Sequence, residues 1–231
     1  MEWQTLARAL FGDAHRIRQE GDLLSGEAEF GETIAVVGTT NHAPIGVALA
    51  LAQARVVLDT MAKHPGRTLL LLIDTQGQQL RRQDEMVGIN RAMAHLGCCI
   101  DLARRRGHRV VGLVYDQALS GGFITSGLMA DACHALPEAE IRVMRIPAMA
   151  RITKLPEEML TELSKSNPVF APGVANYVAM GGVRSLWQGD LRACLAEALA
   201  EAPGGDERVR EGAERGGRRR AQAVIEQVLA A

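Results

Sequence analysis

Three apolar runs, "TIAVV" (33–37), "TLLLLID" (68–74) and "RVVGLVYD" (109–116), constrain this chain more than any other feature. None alternates apolar with polar residues. Each therefore reads as a strand buried on both faces, the situation of a parallel sheet covered by helices. The intervening segments supply those helices. "PIGVALALAQARVVLDTMAKH" follows the first run, with Pro44 at a first-turn position. A loop and a long helix ending at Gly107 follow the second. "CHAL" and "EIRVM" read as short further strands, and past residue 147 the pattern turns helical. Alternation of this kind predicts an α/β architecture.

The rest of the composition excludes more than it assigns. Lys plus Arg number 26 against 27 Asp plus Glu, which gives no global charge for nucleic acid or a membrane surface. No uncharged apolar stretch approaches membrane-spanning length, and "MEWQTLARALFGDAHRIRQEGD" has no signal-peptide pattern, so the chain is expected in the cytoplasm. Cys98, Cys99, Cys133 and Cys194 have neither redox-pair nor metal-finger spacing and read as reduced thiols, and no metal is expected. The glycine-rich, charged stretch 203–219 reads as a mobile linker, dispensable for catalysis, and 220–231 as a C-terminal docking helix.

The loop "VVGTTNHAPIG" follows a strand but has neither the lysine of a P-loop nor the G-x-G-x-x-G of a dinucleotide fold. Ser120 and Ser126 with His134 would suit a serine hydrolase, but no G-x-S-x-G elbow is present. Two stretches carry a clearer message together. "LLLIDTQGQ" and "GLVYDQALSGG" each run apolar strand, Asp, polar turn, Gly. Peptide N–H groups bared by glycine at neighbouring strand ends suit an oxyanion, which points to acyl chemistry without metal or redox cofactor.

The run from "TLLLLIDTQGQQLRRQDEMVGINRAMAHL" to "GLVYDQALSGGFITSGLMAD" resembles the crotonase-type carboxyltransferase halves of acyl-CoA carboxylases. Gln76 stands where those enzymes have Pro, and Ala118-Leu119 replaces glycine-rich residues. "GTTNHAPIGV", "DTQGQ…RRQDEMVGINR" and "SNPVFAPGVANYVAMGGV" more closely resemble the gamma subunit of biotin-independent malonate decarboxylase. That resemblance implies a crotonase-like (ClpP/crotonase) α/β fold, a β-β-α spiral with outer helices, over residues 1–202. It implies a homologous beta subunit as partner, with an acyl-carrier (delta) subunit that presents malonyl as a thioester and an alpha transferase subunit. Products would be CO2 and the acetyl thioester, with no cofactor on this chain. No stretch has the Met-Lys-Met pattern of biotin attachment.

Under this resemblance the peptide N–H groups of Gly121 and Gly122 are the first candidate oxyanion donors, with Gly77 and Gln78 next. Ser120, Thr75 and Asn41 would bind substrate, with no nucleophilic role for the Ser120 hydroxyl, and Gly122→Val would harm turnover more than folding. Tyr177, Val178 and Met180 face either the partner or the chain's own core. Two alternatives stay open: a non-catalytic scaffold for the beta subunit, and a carboxyltransferase half working with carboxybiotin.

Overall fold

The apolar runs are longer in the structure than in the sequence reading, and this sets the whole architecture. The computed structural model describes residues 1–165, 173–201, 206–217 and 219–231. Helix α1 (Trp3–Phe11) precedes strands β1 (Arg18–Glu20), β2 (Leu23–Phe30), β3 (Glu32–Thr39) and β4 (Ala43–Ile45). Helix α2 (Val47–Lys63) leads into β5 (Leu69–Gln78), then α3 (Arg82–Met86) and α4 (Ile89–Arg105). Strand β6 (Val110–Leu119) runs directly into α5 (Ser120–Ile124), followed by β7 (Ala132–Ala135) and β8 (Glu140–Arg142). The helices α6 (Ile146–Thr153), α7 (Glu157–Ser164), α8 (Val174–Ala179), α9 (Leu191–Ala200), α10 (Arg208–Glu214) and α11 (Arg219–Leu229) complete the described chain.

The main sheet has the order β1-β2-β3-β5-β6-β7, antiparallel from β1 to β3 and parallel from β3 to β7. Successive side chains of β5 point to opposite faces, and both faces are covered. Leu69, Leu71 and Ile73 pack with α2 and α4 residues such as Val57 and Ile100. Leu70 and Leu72 pack on the other side with Leu6 and Leu10 of α1 and with Trp187. That double burial is why the run shows no alternation.

Halfway along, β5 and β6 exchange their outer neighbours in the eight-stranded sheet. The pairing between them shifts between Ile73 and Thr75. Beyond that point Thr75–Gln78 pairs with β4, while Gln117–Leu119 pairs with β8. The turns expected after Asp74 and Asp116 are therefore strand. Pro44, expected to open a helix, sits in β4, and α2 begins at Val47.

The C-terminal expectations need correction where the structure describes them. Of the stretch 203–219, residues 203–205 and 218 lie outside the described residues, as do 166–172 of the expected helical region. The remainder is a packed helix, α10, in place of a mobile linker. Glu211 is buried between Arg184 and Arg215, at 3.5 and 3.4 Å. Arg215 caps the carbonyls of Val178, Val183 and Arg184. Charge-assisted bonds to main-chain oxygens provide the order that apolar composition does not. Helix α11 forms as expected, but Val224, Ile225, Val228 and Leu229 are exposed, so among the described residues it does not dock on this chain's core. Tyr177 and Val178 pack against the core instead of standing free, Tyr177 edge-on to Phe123 at 6.1 Å.

His134 on β7 is buried, with Nδ1 2.8 Å from the Ser185 hydroxyl and its ring 5.1 Å from Trp187. Burial, with Arg184 and Arg109 adding to it, pushes its pKa from 6.5 down to about 4. Between those values the unfolded chain binds a proton that the folded chain refuses, so stability falls as pH drops. At pH 5 the loss is about 2 kcal/mol from this residue. Melting curves at pH 7 and pH 5 should therefore converge in His134→Phe. An unchanged acid dependence would contradict this account.

Candidate active site

The second halves of β5 and β6 lie side by side and carry the sequence-predicted glycines to one place. Gly77 has φ +101°, and Gly122 is buried directly beneath it: a Cβ on Gly122 would lie 3.1 Å from the Gly77 Cα and 2.9 Å from the Thr75 hydroxyl. These glycines let two strands and α5 approach more closely than any side chain allows. Thr75 is buried and structural. Its Oγ1 donates to the Ala43 carbonyl at 2.6 Å and accepts from the Gly77 N–H at 3.0 Å. That bond engages the Gly77 N–H, so it is not offered to substrate.

A different pair of donors converges. The Ser120 hydroxyl (3.0 Å) and the Gly121 N–H (3.2 Å) both donate to one oxygen, the side-chain Oε1 of Gln78. Ser120 has φ +51°, a conformation that non-glycine residues rarely adopt. Gln78 and Ser120 line the inner wall of a cleft of about 400 Å³ between the ends of β5 and β6 and helix α6. Arg145 and Arg151 line it too, and Leu80, Val143 and Ile152 form exposed apolar parts of its rim. The cleft is thus lined by Ser120 and Gln78, by two arginines, of which Arg145 lies 3.8 Å from Glu140, and by apolar side chains.

Some expectations fall outside this site. Asn41 turns away from the cleft, donating to Asp22 at 3.0 Å. Gln78 contributes a side-chain acceptor, where a peptide donor was expected. Ser120 contributes its hydroxyl as a donor. His134 meets Ser185 and Ser126 donates to the Gly122 carbonyl, so no serine–histidine pair joins Ser120. Arg145 and Arg151 were not foreseen. Their sequence signal is the run "RVMRIPAMAR", whose helix α6 buries none of its side chains.

The paired aspartates brace the bend next to the site. The Asp74 carboxylate accepts from the His42 N–H at 2.8 Å and the Gln117 N–H at 3.3 Å. Burial, opposed by those bonds, raises its pKa above the ordinary value. His42 Nε2 reaches Asp116 at 3.1 Å, and Asp116 also takes the Met1 ammonium at 2.9 Å. His42, Asp74 and Asp116 place ligand-type atoms within 4.8 Å of one another, a grouping with the donors of a divalent-cation site, here bonded among themselves.

The family model for the malonate decarboxylase gamma subunit matches residues 40–231. The chain belongs to that family. Solved structures of malonate decarboxylase agree with the match. The chain superimposes on one from a Pseudomonas malonate decarboxylase hetero-tetramer in complex with coenzyme A, with TM-score 0.77, 27% identity and 97% of each chain covered. On one from a Pseudomonas malonate decarboxylase MdcD-MdcE hetero-dimer the values are 0.76 and 28%, with 97% of this chain and 96% of that one covered. A transcarboxylase 12S chain, 22% identical with TM-score 0.71 over 87% of this chain and 43% of its own, shares the fold. The crotonase-like α/β fold is therefore the one expected. The malonyl-S-ACP:biotin-protein carboxyltransferase MADD of Malonomonas rubra is 38% identical over 140 residues, 58% of this chain. The match covers 48% of that relative, so the chain spans about half its length. No helix among the described residues is long and apolar enough to cross a membrane.

Proposed function

We propose that this chain is the gamma subunit of a malonate decarboxylase complex. It pairs with a homologous beta subunit to convert a malonyl thioester on an acyl-carrier protein to the acetyl thioester and CO2, with an alpha transferase subunit loading the carrier. The convergence of the Ser120 hydroxyl and Gly121 N–H on one oxygen of Gln78, a residue of the cleft wall, carries this reading. When the carbon–carboxylate bond breaks, its electron pair moves to the alpha carbon and on to the thioester oxygen. Two fixed donors at that oxygen stabilise the enolate more than the neutral thioester. Each donor contributes about 2.7–4 kcal/mol in such a role. A proton then returns to the carbon. Carbon dioxide leaves without a carboxyl carrier, so the step itself needs no biotin. Arg145 and Arg151 suit the anionic groups of a malonyl thioester or of its phosphate-bearing arm, and the apolar rim at Leu80, Val143 and Ile152 suits a partner subunit that closes the cleft. The relatives crystallised as hetero-dimer and hetero-tetramer support the pairing.

The Malonomonas rubra relative favours a second reading, carboxyl transfer from the malonyl thioester to a biotin protein. The deciding experiment co-purifies this chain with its beta partner. Malonyl-thioester turnover is then measured with and without a biotinylated acceptor. Acetyl thioester and free CO2 formed without acceptor support the decarboxylase. Turnover only with acceptor establishes the transferase instead. Turnover by the beta subunit alone, at the rate of the pair, leaves this chain a scaffold.

A further inference from the structure

The oxygen that occupies the donor pair belongs to the protein itself. We infer that Gln78 is a displaceable self-ligand: its amide oxygen holds the place of the thioester oxygen and swings out when substrate enters. The inference deepens the site reading above and rests on it.

The geometry has three parts. Gln78 Oε1 accepts from both Ser120 Oγ (3.0 Å) and Gly121 N (3.2 Å), the two donors that no other protein acceptor takes up in the described structure. The Gln78 backbone is fixed by pairing with Ile45 in β4, and the next residue, Gln79, donates its N–H to the Ile45 carbonyl at 2.8 Å. Only the side chain is left to move. It stands half-buried on the cleft wall, where rotation about its own bonds carries the amide into the open groove.

The choice of an amide for this task has a chemical consequence. An amide oxygen is a better hydrogen-bond acceptor than a neutral thioester oxygen and a poorer one than an enolate. Exchanging Gln78 for the ground-state thioester therefore gains little, while exchanging it for the developing enolate gains much. Because the amide is displaced on binding, its cost is carried equally by the bound ground state and the transition state: KM is raised and kcat is left unchanged. A site whose open form is only a fraction of the population binds more weakly by that fraction. Removing the amide removes that cost.

The test uses the assembled complex with its beta partner and two readouts: steady-state kinetics with malonyl thioester, and calorimetric binding of the sulfonate analogue of malonyl-CoA, which keeps the thioester carbonyl and cannot lose CO2. Gln78→Ala should lower KM and the analogue Kd by about tenfold, the scale of two exchanged hydrogen bonds. Gln78→Asn, one methylene shorter, should move both the same way, which guards against a defect peculiar to alanine. Gln78→Glu should do the opposite. Its carboxylate binds the donors more tightly, so KM and Kd rise at neutral pH and recover as pH falls through the carboxyl's protonation. A residue with a merely structural role would weaken binding in all three variants. Unchanged or higher KM and Kd in both Gln78→Ala and Gln78→Asn, with melting temperature intact, overturns the inference. If the complex shows no decarboxylation at all, the functional reading falls, and the ranking of analogue affinities still decides the role of Gln78.

Discussion

Ser120→Gly is expected to lower kcat of the assembled enzyme about 10²–10³-fold, the usual cost of one oxyanion donor, while the melting temperature stays at or above that of the parent. The two effects come from one residue. The Ser120 hydroxyl is one of two donors on the site oxygen. To place it there the chain holds Ser120 at φ +51°, which disfavours any residue but glycine. Glycine removes the hydroxyl and the strain together. Its extra freedom in the unfolded chain costs about 0.5–1 kcal/mol, which the relieved left-handed conformation offsets at about 1–2 kcal/mol. Strain of this kind persists where function requires it. Full activity in Ser120→Gly, in a complex shown to be intact, would return the oxyanion site to the beta subunit and leave this chain a scaffold.

Gly38→Val is expected to damage the fold severely. Gly38 sits on β3 opposite Leu72 of β5, at the last paired position of the two parallel strands. A Cβ there would lie 2.8 Å from the Leu72 Cβ and closer still to the Leu72 carbonyl oxygen. The obstacle is the backbone of the central strand, which cannot rotate aside. Overpacking in cores costs about 1–3 kcal/mol when side chains can yield, so a loss of at least 3 kcal/mol is expected here, or about 6–12 °C in Tm. A Tm within two degrees of the parent would show that β3 and β5 have slack this packing does not suggest. Gly122→Val belongs to the same class. Its Cβ would press on Thr75 and Gly77. It is a folding variant first, contrary to the expectation that it would act mainly on turnover.

The sequence carries the fold because the runs at β3, β5 and β6 are buried on both faces, and nothing but a covered parallel sheet accommodates them. It carries the address of the site for a related reason. Gly77 and Gly122 mark where the chain meets backbone at close range, and that contact is legible as glycine. What it cannot carry is which groups point into the resulting space. Gly77 and Ser120 look equally able to offer a donor in a string of letters, yet Thr75 takes up the first and a left-handed backbone aims the second. Gln78 was placed in the site for its peptide N–H and belongs there for its side chain. Helix α10 was missed because its order comes from arginines that bond to carbonyls far away in sequence, and composition alone reads such a stretch as solvated.

The mid-course exchange of neighbours by β5 and β6 has a consequence for where substitutions act. The two donors directly follow β6 and their acceptor ends β5, the two strands at the centre of the core, whereas the cleft's outer wall is a helix with no buried side chain. Substitutions on the two walls therefore differ in kind. Substitutions that add bulk at the glycines Gly77 and Gly122 strike the core strands first. Substitutions along α6 meet no buried side chain and change the lining of the cleft instead.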